Sequence, residues 1–402
     1  MQLKAILLAS ILWTSTAVSA QIAIKANIIY TASGTPIRNG VILISKGKIE
    51  KVGTTNNLPI PAGYTLYQSN VVTPGLIDAR TLIGMSGVLN IPVDQDQLEK
   101  SSPIQPDLRA IDAYNPDETL VKVARECGIT TLHTGHGIGA LVSGQTMIVK
   151  TKPGTVENVT IQPLSMLAMT IGPSVSGYYG SPGTKAKQMA MIRTELLKAQ
   201  LYLKKMNDKD SSKRPSLDLN MDILSKLLKG EIKALITANS SVDIMNAIRL
   251  AKEFNLRLVL DGAAEAYRLI DEIKSSKAEI ILHATMARNE GDMVNMNRES
   301  AALLTAAGIP VSIESGYEAY VPKTRIVLYE AAMAMAYGLS FDEALKTITI
   351  HPAKLLGIDN RVGSIDVGKD ADVVLYDGDP FEYTTKVCTV FIDGAVVSNK
   401  CP

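Results

Sequence analysis

Hydrophobic positions along this chain fall into three regimes. From Gln21 to about Tyr67 they form short runs, Ile22-Ala23-Ile24, Val41-Ile42-Leu43-Ile44 and Ile49 to Val52, broken by Gly47, Gly53 and Pro61. Pieces of this length, punctuated by turn residues, predict short antiparallel strands. Between about 71 and 357 longer apolar runs alternate with helical stripes. Strands are expected at 71–78, 128–133, 145–150, 165–171, 233–238, 256–260, 278–283 and 309–313. One intervening helix shows Met189, Ile192, Leu196, Ala199 and Leu203 at spacings of three and four. Another has Ser340 and Glu343 in capping-box spacing, which puts its first turn at about Phe341. Eight buried strands alternating with helices predict an α/β fold of the TIM-type (β/α)8 barrel class.

After Leu356 the pattern returns to short strands, ending in a hairpin from Val387 to Val397 with Asp393-Gly394 as its two-residue turn. The two flanks are alike. Residues 21–70 and 358–402 are therefore expected to meet as a small composite β-sandwich beside a barrel spanning 71–357.

Composition narrows the functional classes. The chain has 402 residues, 46% of them hydrophobic and 20% charged, with a formal net charge of +1. Charges of both signs are interspersed, so nucleic acid is not an expected partner. A small-molecule ligand is expected, and an oligomer is compatible with the sequence. Residues 1–20 read as a secretory leader: Lys4, an apolar run from Ala5 to Trp13, then small residues ending Val18-Ser19-Ala20. No later run approaches the roughly 20 apolar residues of a membrane helix. The expectation is an exported protein, periplasmic or extracellular, without a membrane span.

The three cysteines, Cys127, Cys388 and Cys401, are too scattered for a zinc cluster. Cys388 and Cys401 flank the predicted hairpin. A disulfide between them and a pair of free thiols are both open readings, because a diagonal offset would violate disulfide geometry.

Three motifs carry a family resemblance: Pro74-Gly75-Leu76-Ile77-Asp78, the run from Ile350 to Gly357 that reads IHPAKLLG, and the run from Gly363 to Val374 that reads GSIDVGKDADVV. Together they resemble the amidohydrolase superfamily, most closely its imidazolonepropionase-like branch, over essentially the whole chain after the leader. The resemblance implies hydrolysis of a C–N bond, in a cyclic amide or similar small substrate. It also implies a divalent metal such as zinc, held by His-x-His after strand 1, a lysine or glutamate at strand 4, histidines at strands 5 and 6, and an aspartate at strand 8.

This sequence departs from that pattern at each position. The His-x-His places read Arg80 and Leu82. A guanidinium keeps its proton and leucine has no lone pair, so neither coordinates a cation. Strand 4 offers Leu167, strand 5 ends in the neutral Ile236-Thr237-Ala238-Asn239, strand 6 ends at Asp261, and strand 8 ends Glu314-Ser315-Gly316 with glycine at the expected aspartate. His283 follows strand 7 by this count, or strand 6 if one earlier strand is spurious. The expectation is a barrel with no metal cofactor.

The remaining candidates are polar residues at the predicted barrel mouth. His133 and His136 are candidate catalytic groups, as general base or substrate partner, with a loop-capping role as the plain alternative. Asp261 and Glu314 are candidate catalytic carboxylates. Arg80 is a candidate substrate-binding residue that replaces the metal's charge toward an anion or oxyanion, or else an internal salt-bridge partner. Tyr179 and Tyr317, in glycine-hinged loops, are candidates for closing over a ligand. His351 is read as structural. Two functions remain: a C–N hydrolase with an atypical site, and a catalytically silent binding protein of the same fold.

Overall fold

The computed structural model describes residues 21–89, 91–316 and 327–401; the expected leader at 1–20 lies outside them. Strands β1 (Ile22–Ile29), β2 (Ile37–Ser45), β3 (Lys48–Thr54) and β4 (Thr65–Pro74) come first. The barrel strands are β5 (Leu76–Thr81), β6 (Ile129–Gly135), β7 (Val142–Lys150), β8 (Thr160–Gln162), β9 (Met166–Thr170), β10 (Lys233–Ala238), β11 (Leu258–Gly262), β12 (Glu279–Leu282) and β13 (Val311–Ile313). The chain ends with β14 (Val373–Tyr376), β15 (Val387–Ile392) and β16 (Ala395–Asn399).

Both ends of the chain build one seven-stranded sheet in the order β16-β15-β14-β4-β1-β2-β3. Strand alternation divides its apolar residues between two faces. Ile24, Ile42 and Ile44 cluster with Val373, Leu375 and Phe391, while Ala23, Val41 and Leu43 are covered by Leu58, Ile60 and Tyr64. The expected continuous strand over 71–78 is in fact two. The chain leaves the terminal sheet at Pro74 and enters the barrel at Leu76. Gly75 makes the switch because a Cβ there would overlap the Thr130 side chain.

The barrel sheet runs β5-β6-β7-β9-β10-β11-β12-β13, with β8 paired to β7 off this path. The eight strands fall close to where the hydrophobic runs put them, in a TIM-type arrangement. One differs in direction: β7 is antiparallel to both β6 and β9. The segment 136–141 that joins β6 to β7 is too short for a helical crossover, and only an antiparallel partner can follow so tight a turn. Between β5 and β13 the wall is completed by single bonds. Ile77 N donates to Ile348 O at 2.8 Å, Ile313 N to Thr347 O at 3.1 Å, and Ser315 N to Asp78 Oδ1 at 3.0 Å.

The helices follow their stripes. The helix Lys185–Met206 buries Met189, Ile192, Leu196 and Ala199, and Ser340 caps the helix Phe341–Lys346 by accepting from Glu343 N at 3.3 Å. His351 Nδ1 donates to Val311 O at 3.0 Å, at the start of β13 and so away from the strands' C-terminal ends, which agrees with a structural role.

A buried ion network joins barrel to sheet. Lys150, at the end of β7, places Nζ 2.8 Å from Asp370 Oδ2 and 3.0 Å from Asp372 Oδ1, with Asp393 Oδ1 also in contact. Lys48 and Arg361 complete the shell of Asp370, and Lys152 lies 2.8 Å from Asp393. The GKDAD run therefore holds this junction together. Asp393 and Gly394 both take positive φ, as a type I′ turn requires, with Ile392 opposite Ala395. Cys388, on β15 of that hairpin, forms a disulfide with Cys401, just past β16; Cys127 is free.

Candidate functional site

The C-terminal ends of the parallel strands gather a group of polar side chains with almost no exposure. Arg80 (1% exposed) projects from β5, Asp261 (1%) from β11, and Glu314 (6%) from the end of β13; His136 follows β6 and His283 follows β12. With His283 after the seventh strand of the sheet order, the question of its strand is answered.

Arg80 is the centre of the group. One Nη2–H donates to the His136 carbonyl, while Nε and Nη1 have no hydrogen-bond partner among the described residues. A buried guanidinium left with unused donors is costly unless an acceptor arrives. Leu82, buried next along, packs toward Gly137.

Opposite charge is close at hand but does not pair directly with Arg80 among the described residues. Glu314 meets Asp261 side chain to side chain. Its carboxyl is pushed well above the usual range, first by burial and then by the Asp261 charge, against the pull of Arg80. Glu314 Oε2 and Asp261 Oδ1 receive no hydrogen bond from any donor among the described residues. Two carboxylates in this position repel unless one proton lies between them, so the pair is read as sharing a proton carried on Glu314. Thr237 Oγ1 donates to the other Asp261 oxygen and fixes that carboxylate.

The two candidate histidines part company. His133 is fully buried within β6; its Nδ1–H donates to Ala79 O at 2.7 Å and its Nε2 accepts from Thr146 Oγ1 at 2.7 Å. Both ring nitrogens are spent, and burial, followed by Arg80, pulls its pKa down to about 3. The catalytic reading of His133 is therefore corrected to a structural one, bracing β5 against β7. His136 has neither ring nitrogen partnered among the described residues, and burial with Arg80 nearby lowers it to about 4. It is neutral at pH 7, with one donor and one acceptor to offer. His283 donates from Nδ1 to Ala284 O at 3.0 Å, which leaves Nε2 as a buried acceptor.

Tyr179 is also corrected. Its hydroxyl donates to Glu99 O at 2.7 Å and its ring is buried in the main core, so it anchors the 99–108 loop instead of closing over a ligand. Tyr317 lies outside the described residues.

Asp78 reads in the sequence only as part of the Pro74-Gly75-Leu76-Ile77-Asp78 motif, and its partners are tertiary. Its Oδ1 accepts from Ser315 N and from Arg80 N at 3.3 Å, which clasps β5 to β13 and orients both Arg80 and Glu314. Burial raises its pKa from 3.8 to about 7, against the hydrogen bonds from Ser315 and Arg80. A raised carboxyl stabilises the fold fully below the unfolded value, and that contribution is lost as pH climbs through about 7. Asp78→Asn keeps the Oδ1 acceptor and cannot ionise. It should fold and show a flatter stability-against-pH curve between pH 5 and 8 than the parent; an identical slope in both proteins would count against this role. Asp78→Ala, which leaves Ser315 N unpaired, should cost about 1–3 kcal/mol.

These residues do not make a donor set for the family's divalent metal. Among the described residues, the one group of three His, Cys, Asp or Glu donor atoms within 4.8 Å of one another is Asp377, Cys388 and Cys401, on the terminal sheet. Within the barrel a cation would face the charge of the buried Arg80.

The amidohydrolase family profile matches residues 231–397. Over its length the chain is 23% identical to amidohydrolase tasK of Hapsidospora irregularis, covering 88% of this chain and 39% of that protein. It is 22% identical to imidazolonepropionase of Brucella anthropi, covering 85% and 87%. Among solved structures, an amidohydrolase from Thermotoga maritima MSB8 superposes with a TM-score of 0.89 at 28% identity, covering 94% of this chain and all of that one. The motifs, the barrel and these relatives together support membership of the amidohydrolase superfamily.

Proposed function

We propose that this protein hydrolyses a C–N bond in a small cyclic amide that carries an anionic group, at a barrel site that works without a divalent metal. Membership of the superfamily supports hydrolysis at an amide-type bond, and similarity to imidazolonepropionases supports a cyclic substrate with a carboxylate. The observation that carries the rest is buried Arg80 with Nε and Nη1 unused, which calls for an anion or a developing oxyanion. The Asp261–Glu314 pair supplies the proton chemistry. In this reading Asp261 takes a proton from water as the oxygen adds to the amide carbon. Glu314 gives its proton to the departing nitrogen, and the product is a single ring-opened molecule that carries both the new carboxyl group and the freed nitrogen. His136 stands beside Arg80 as a neutral hydrogen-bond partner for the ligand.

A second reading, a silent binding protein, is favoured by one specific observation: His133, the more deeply placed histidine, has no nitrogen left for substrate. The test is turnover of imidazolone propionate and of hydantoin-type cyclic amides in the presence of a chelator. Turnover that survives chelation supports the hydrolase. Thermal stabilisation by these compounds without turnover supports the binder. Neither effect with any of them would remove the mouth as a site for this class.

The leader-like segment supports export, and the seven-stranded sheet, closing over Ile24, Val72, Leu375 and Phe391, is read as the sandwich that accompanies the barrel.

A further inference from the structure

We propose that the edge of the terminal sheet is a second, independent site, in which the Cys388–Cys401 disulfide exchanges for a bound zinc ion when the cysteines are reduced. Three adjacent strands bring the ligands together. Asp377 directly follows β14, Cys388 lies on β15, and Cys401 lies just past β16. Their donor atoms lie within 4.8 Å of one another. Tetrahedral zinc with two thiolates needs sulfurs about 3.8 Å apart, so opening the disulfide by a short movement produces the spacing the ion requires.

The scaffold stays in place when the bond is cut. Lys400 N donates to Cys388 O at 2.7 Å, and Thr389 pairs with Asn399, so the strands bearing the cysteines are held by their own ladder. Lys386 N donates to Asp377 Oδ1 at 2.7 Å, which orients the carboxylate. Asp377 is exposed and both cysteines are half-exposed, so a small reductant reaches the sulfurs and a water can complete four-coordination.

The chemistry balances with a dithiol as reductant. Its two thiols deliver two electrons and two protons to the disulfide and become a disulfide themselves; Cys388 and Cys401 are released as thiols. Zinc then displaces the two thiol protons and is held by two thiolates, the Asp377 carboxylate and water.

The test uses the whole chain in a Cys127→Ser background, which removes the third thiol. Zinc ion is titrated against a chromophoric chelator, before and after treatment with a phosphine reductant. The reduced protein should bind one zinc per chain and the oxidised protein none at this edge. Asp377→Asn should weaken binding at least about 10-fold, and Cys388→Ser/Cys401→Ser should abolish it while far-ultraviolet circular dichroism stays unchanged. Cobalt in place of zinc should give a thiolate-to-metal charge-transfer band. No additional zinc on reduction, equal affinity in Asp377→Asn, or cobalt binding without that band would each overturn the proposal. None of these readouts involves the barrel, so the outcome is separate from that of the hydrolase reading.

Discussion

Lys150→Met should lower the free energy of unfolding by about 3–5 kcal/mol, the range expected when one partner of a buried ion cluster is removed and the others keep their charge. The ammonium is 2% exposed and touches three carboxylates. Asp370 keeps Arg361 and Lys48, and Asp393 keeps Lys152, but Asp372 has no other cation partner among the described residues. Asp372 would thus be left as an uncompensated buried charge. Denaturant titration measures the loss, and Lys150→Met/Asp372→Leu should recover a large part of it, because an apolar pair costs less than half an ion pair. A loss under about 1 kcal/mol in the single variant would mean that the network contributes little. The same junction sets an acid limit. Burial works against the Asp370 charge, yet Lys150, Lys48 and Arg361 hold its pKa down from 3.8 to about 2. A depressed carboxyl stabilises above its unfolded value, so this contribution is complete above about pH 4 and is lost as pH falls toward 2.

The second large effect is at the barrel mouth. Arg80→Met should reduce kcat/KM for an anionic cyclic amide by about 100- to 1,000-fold, the cost typical of removing a preorganised donor to a developing oxyanion. Arg80→Lys should not restore it, since a single ammonium cannot reproduce the geometry of Nε and Nη1. Glu314→Gln keeps the shape of the pair but removes its transferable proton, and should lower kcat far more than it raises KM. Full activity in Glu314→Gln would end the acid–base assignment even if Arg80 proved essential.

Much of this architecture could be read from the sequence, since buried strands announce themselves as apolar runs. The eight barrel positions, the Ser340 cap and the Asp393-Gly394 turn all follow from local pattern. The direction of β7 did not, because hydrophobic periodicity is blind to strand polarity; the short 136–141 link was the available clue. Pro74-Gly75 is a turn signal at the switch between sheets, but the apolar pairs on either side, Val71-Val72 and Leu76-Ile77, read together as a single strand. At the site, Arg80, His136, Asp261 and Glu314 are gathered at the mouth as the strand ends suggested. His133 was misjudged because what decides its role, the paired bonds to Ala79 and Thr146, is tertiary. Asp78 and Thr237 were missed for the same reason: one reads as motif, the other as a neutral strand residue, until their partners across the barrel are known. The GKDAD run was legible as a family mark, while its physical task became visible only with Lys150 between the aspartates.

The proposed metal-free site rests on Arg80, buried at the barrel mouth with Nε and Nη1 unpartnered among the described residues. Elemental analysis of the disulfide-intact protein, after incubation with zinc and with manganese and then gel filtration, decides whether the site is metal-free. The expected result is no stoichiometric metal, and turnover or ligand-induced stabilisation that is indifferent to chelators. About one tightly held metal per chain, whose removal abolishes either property and whose return restores it, would overturn the metal-free site.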